Sequence, residues 1–85
     1  PELDSALIAR GYIYLRSKKI PSAIEDFKKV IDNKGIVSPR AEWYLALAHV
    51  QDHNREEALK VLEVIAGNNG HEFNTPAKEL LGELK

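Results

Sequence analysis

Eighty-five residues, twelve of them basic and thirteen acidic, leave a net charge of −1, and such a balance offers no broad positive field for nucleic acid or anionic lipid. A chain of this size hides only about 60% of the surface that its unfolded form exposes, so its core is thin. The absence of cysteine removes disulfides, thiolate metal ligands and a cysteine nucleophile together, and the longest apolar run, Trp43 to Ala48, is far short of the roughly 20 residues that cross a bilayer.

A first helix is predicted from Leu3 to Arg16, where Leu3, Leu7, Gly11 and Tyr14, then Ala6 and Ile13, recur at three- and four-residue steps. A second spans Ile20 to Ile31. Ile20, Ala23, Ile24, Phe27, Val30 and Ile31 share one stripe, Glu25, Asp26, Lys28 and Lys29 the other, and Pro21 sits in the first turn, where its missing N–H costs little. Gly35 is expected to stop this helix, with Ser38 as N-cap and Pro39 as first residue of a third that runs to about Gln51. Asn54 and Glu57 have capping-box spacing and open a fourth helix through Ala58, Leu59, Leu62 and Ile65, which Gly67 closes. Asn68 to Asn74 reads as a loop, after which Thr75 and Pro76 start a last helix through Leu80, Leu81 and Leu84. No strand pattern competes, so the expected fold is all-α with five helices.

One segment of the chain is written twice. Gly11 and Ala46, Tyr14 and His49, Ala23 and Ala58, and Phe27 and Leu62 each stand thirty-five residues apart. A period of about 20–50 residues marks stacked units that cannot bury their apolar faces alone. The helices also differ in kind. From Ala41 to Val50 only Glu42 and His49 are clearly polar, and a helix so apolar needs cover on two sides. The first helix is similar, whereas the second and fourth carry one apolar stripe and one charged flank. Nearly apolar helices inside and amphipathic ones outside describe a curved helix-pair superhelix.

These residues resemble the tetratricopeptide repeat, a helix-turn-helix unit of about 34 residues. Gly11 with Tyr14, and Leu45 with Ala46, match the first-helix pattern, while Ala23 with Phe27 and Ala58 with Leu62 match the second. A small residue where two helices cross lets the backbones approach to about 8–10 Å while the large one fills the adjoining groove. The resemblance covers a first repeat over 3–34, a second over 38–67, and a partial third repeat or capping helix over 75–85. The lack of methionine and a start at Pro1 suggest either a removed initiator or an excised piece of a longer protein, and the second is expected. Four residues depart from the pattern: Arg10 stands where leucine is usual, which suggests a wet edge or an upstream contact, His49 stands where an aromatic is usual, and Val30 and Ile65 replace small residues. From Ala41 onward the sequence is similar to segments of bacterial members of the family.

The resemblance implies a non-enzymatic scaffold whose partner lies in a concave groove lined by the first helix of each repeat. Carried over position by position, the lining is Ser5, Ile8, Tyr12, Leu15 and Arg16 from the first repeat, and Arg40, Trp43, Leu47, Val50 and Gln51 from the second. Members that clamp acidic chaperone tails carry basic residues and asparagine where this chain has Ile8, Tyr12, Trp43 and Leu47, so such a carboxylate clamp is not expected. An amphipathic helix or extended apolar peptide fits better, with Trp43, Tyr12 and Leu47 as anchor. The alternative is a self-association or structural segment whose groove is covered by neighbouring repeats or by a second copy of the chain.

Other chemistry is weak. His49 and His53, with His71 or Asp52, have a spacing that can share a metal, but His49 falls at a buried repeat position and no HExxH glutamate lies between them. Asp4-Ser5 and Ser22-Glu25 are ordinary helix-start residues, and Gly67-Asn68-Asn69-Gly70 lacks the lysine and preceding strand of a phosphate loop. Lys18-Lys19 and Lys28-Lys29 are diluted by Glu25, Asp26 and Asp32. No enzyme activity, cofactor, metal or nucleic-acid partner is expected.

Overall fold

Five helices, α1 (Glu2–Arg16), α2 (Ile20–Asn33), α3 (Ser38–Gln51), α4 (Arg55–Ala66) and α5 (Asn74–Leu84), account for nearly all of the computed structural model, which describes residues 2–85. No strand occurs among the described residues. Each helix packs against the next in the chain, and α1 also touches α3. The Cα atoms span 33 × 28 × 16 Å, and the short dimension is that of two helix layers at an axial separation of about 8–10 Å.

The thirty-five-residue echo holds at the level of single bonds. Both hairpin turns place a non-glycine residue in the left-handed region, Lys18 at φ 64° and His53 at φ 58°. In the first turn the Lys19 N–H donates to Tyr14 O (2.8 Å), and in the second the Asn54 N–H donates to His49 O (2.9 Å). Lys18 to Leu15 (3.2 Å) and His53 to Val50 (3.1 Å) form the matching inner pair. Thus α1–α2 and α3–α4 are the same hairpin built twice.

Close approach at the crossing explains the small residues. A Cβ added at Gly11 would lie 2.6 Å from Phe27 Cε1, and Ala46, its counterpart, is completely buried. One core gathers Ile8, Leu15, Ala23, Phe27, Val30, Ala41, Leu45 and Ala48 between α1, α2 and α3. A second gathers Ala46, Leu62, Ile65 and Ala77, with Trp43, Phe73, Leu80, Leu81 and Leu84 against it.

Some expected caps are replaced. Asn54 does cap α4, accepting from Glu57 N (3.4 Å). Ser38, however, lies inside α3 behind Val37, and its Oγ donates to Val30 O (3.1 Å), so it satisfies the end of α2 rather than the start of its own helix. Similarly, α5 begins at Asn74, whose amide donates to Ile65 O (3.1 Å) and Ala66 O (2.9 Å) at the end of α4. The left-handed residue that ends α2 is Lys34, φ 53°, one before Gly35. Gly35 answers a space constraint instead, since a Cβ there would lie 3.0 Å from Asp4 Oδ2.

Asp26 also differs from expectation, being buried rather than solvated, whereas Arg10 is 54% exposed at the wet edge expected of it. Its guanidinium donates through Nε (2.8 Å) and Nη2 (2.7 Å) to the two Asp26 oxygens, a two-bond clamp between α1 and α2. Those hydrogen bonds hold the Asp26 carboxyl below the usual carboxylate range, against the opposing effect of burial.

Candidate functional site

Residues four apart on α1, and their counterparts on α3, place Tyr12, Arg16, Leu47 and Gln51 on neighbouring turns of the two inner helices. Tyr12 is 40% exposed, Leu47 is half-buried, and Arg16 and Gln51 are exposed. The Tyr12 ring leans on Tyr44 of α3, centroids 5.6 Å apart, and Tyr44 in turn stacks on Phe27 of α2 at 5.6 Å. Tyr12 is thus held from below by the core. From outside, Arg16 Nη1 donates to its hydroxyl (3.2 Å) and the guanidinium lies 5.8 Å from its ring centre. The arrangement offers a braced aromatic with a cation at its edge, which suits contact with a partly apolar, hydrogen-bonding surface.

The remaining groove residues do not join this face as one open cleft. Ile8 and Leu15 are interior, 8% and 4% exposed, because the crossing at Gly11 brings α2 over both of their turns. Trp43 is half-buried and lies parallel to Phe73 in a stacked pair, centroids 5.6 Å and planes 5° apart. Val50 lies with His53, Arg55, Ala58 and Leu84 around a depression of about 470 Å³ at the far end of α3. Arg40 is exposed on the first turn of α3. Ser5 belongs to a separate depression of about 660 Å³ formed with Leu3, Asp4, Asn33, Gly35, Ile36 and Val37.

What occupies Trp43 is a segment that sequence reading left as a plain loop. Asn68 Oδ1 accepts from the Gly70 N–H (3.0 Å), and the buried His71 ring accepts the Phe73 N–H at Nδ1 (3.1 Å). Nε2 therefore carries the ring proton and donates it to Glu42 Oε1 (2.9 Å). This sets Phe73 over Trp43. The one sequence signal was Phe73 itself, a lone aromatic in a polar stretch.

His49 and His53 do not form a metal site. His49 is buried and its Nδ1 has no hydrogen-bond partner, whereas His53 is exposed in the turn. Among the described residues no three His, Cys, Asp or Glu side chains are grouped to hold an ion, and no helix is long and apolar enough to cross a membrane. Burial favours the neutral His49 ring and pushes its pKa down.

The fold and face together define an all-α protein of consecutively packed helix hairpins. Comparison with known proteins finds no matching protein family, curated protein or solved structure.

Proposed function

We propose that this chain is a non-enzymatic scaffold of the tetratricopeptide type that binds an apolar helical or extended segment of a partner protein across α1 and α3. The observation that carries the reading is Tyr12: a large aromatic 40% exposed, braced by Tyr44 beneath it and Arg16 beside it, with half-buried Leu47 at the equivalent position of α3. Rigid aromatic anchors with a polar rim are where binding energy concentrates. Duplication of the hairpin turns, bond for bond, supports the repeat assignment. Acidic tails are poor candidates, because the Tyr12 face has one arginine and α5 adds exposed Glu79 and Glu83.

The test is selection of peptides from a displayed library against the intact chain, followed by titration of the winners. Tyr12→Ala is expected to weaken them by about tenfold or more, the range of a hot-spot residue, with far-UV circular dichroism unchanged. Failure to select any apolar peptide, or equal affinity for Tyr12→Ala, refutes the assignment.

A further inference from the structure

The structure contains the same helix-on-helix contact twice, and α1 has the surface for a third. On α3, the back face formed by Ser38, Ala41, Tyr44, Leu45 and Ala48 is covered by α2: Ala41, Leu45 and Ala48 are buried, Tyr44 stacks on Phe27, and Ser38 bonds to Val30 O. On α5, Asn74 bonds to Ile65 O, and Ala77 is completely buried in the core that α4 supplies. Val30 and Ile65 are themselves repeat equivalents, thirty-five residues apart. One period before Ser38, Ala41, Tyr44, Leu45 and Ala48 stand Leu3, Ala6, Ala9, Arg10 and Ile13 of α1. All five are exposed, Leu3 at 67% and Ile13 at 62%, and the Arg10 guanidinium is turned onto Asp26 of α2.

The opposite end of the stack is different. On α5 the positions that correspond to Glu42, Trp43 and Ala46, which on α3 meet His71, Phe73 and the Leu62–Ile65 core, are Lys78, Glu79 and Gly82. All three are exposed, and a Cβ at Gly82 would meet nothing within 4 Å. One end is therefore dressed for water, and the other, apart from the Asp26-paired Arg10, is apolar.

We propose that the back of α1 is a docking surface for one further amphipathic helix with the pattern that α2 and α4 share. That pattern is alanine (Ala23, Ala58), an aliphatic next to it (Ile24, Leu59), a large apolar residue four after the alanine (Phe27, Leu62) and a β-branched residue three further on (Val30, Ile65). The occupant is a helix from outside residues 1–85. A second copy of this chain fits poorly. The apolar stripes of α2 and α4 are already used in both cores, and pairing α1 with α1 would set two Arg10 side chains, each 54% exposed, on one shared face. A single helix stripe also falls short of the roughly 800 Å² per partner of a stable dimer. This surface is distinct from the Tyr12 face, and neither proposal depends on the other.

Because residue 38 is the repeat equivalent of residue 3, a copy of residues 3–37 placed directly before Leu3 adds one whole period in register and presents an α2 to the original α1. The chain has no cysteine, so Ile13→Cys can be introduced singly and its labelling rate measured in three settings: the unextended chain, the added copy and the original copy of the extended chain. The expected result is fast labelling in the first two and labelling at least about tenfold slower in the third, the signature of a covered face. Ile13→Glu in the original copy is expected to lower the melting temperature by about 5 °C or more, with little change in the other two settings. Equal labelling in all three settings, or a melt that splits into two transitions, overturns the proposal. So does sedimentation showing that the unextended chain is a dimer which Ile13→Glu dissociates, since the face would then belong to a second copy.

Discussion

Replacing Gly11 by alanine sets two opposed effects against each other at the first helix crossing. In mid-helix the change favours folding by about 1 kcal/mol through propensity alone. The new Cβ, however, would stand 2.6 Å from Phe27 Cε1 and 3.0 Å from Cζ, and the ring cannot yield freely, because Phe27 is completely buried and stacked on Tyr44. Overpacking of this kind costs about 1–3 kcal/mol, so the single substitution is expected to destabilise by about 1 kcal/mol. Phe27→Leu alone, which removes part of the ring's packing, is expected to cost about 1–2 kcal/mol. The second hairpin has Ala46 and Leu62 at the equivalent positions, so the double substitution Gly11→Ala/Phe27→Leu rebuilds a crossing that this fold already uses. It is expected to be more stable than the sum of the singles by about 1–2 kcal/mol. Urea unfolding followed by circular dichroism, with Trp43 fluorescence as a probe in the second hairpin, measures all four species. Additivity within about 0.5 kcal/mol, or a Gly11→Ala variant that gains the full propensity term, refutes the packing argument.

Three further outcomes are expected. Arg10→Leu strands the buried Asp26 carboxylate and lowers the urea midpoint, whereas Arg10→Leu/Asp26→Val, which installs the Leu45 and Val61 found one period later, restores the parent midpoint or exceeds it; a double variant as weak as the single one counts against the ion pair being replaceable. His49 has its pKa pushed down from 6.5, first by burial and then by Lys28, with Glu57 and Asp52 acting the other way. Above pH 6.5 the neutral ring carries no penalty, and below it the unfolded chain binds a proton that the folded chain resists, so stability falls with falling pH. His49→Phe is expected to flatten that slope between pH 6.5 and 5, and an unchanged slope assigns it to other groups. Lys18→Gly and His53→Gly relieve left-handed backbone at φ 64° and 58° and are each expected to stabilise by about 0.5–1 kcal/mol in thermal melts.

The helices were legible because their signals are local. Apolar steps of three and four, Pro21 and Pro39 in first turns, and the Asn54 cap each depend on residues within one or two turns. The repeat was legible because self-similarity needs no coordinates. Ser38 was misread as the cap of its own helix and Asn74 as the end of a loop, since a polar residue at a helix entrance looks the same whether it caps inward or reaches back to the preceding helix. The groove was read as a strip of equivalent positions, but Ile8 and Leu15 lie under α2 at 8% and 4% exposure, and Trp43 lies under Phe73.

Periodicity in the chain by itself determined five helices, their order and the pairing of the two hairpins, because those follow from local propensity and from the same pattern occurring twice. Only tertiary structure decided which sides of the inner helices remain open. That depends on crossing points and on partners far along the chain: Arg10 with Asp26, Glu42 with His71, Trp43 with Phe73. Such pairings cannot be read from either partner's neighbourhood in sequence, since the two members lie far apart in the chain, 16 residues for Arg10 with Asp26 and 29 for Glu42 with His71, and only the fold brings them together.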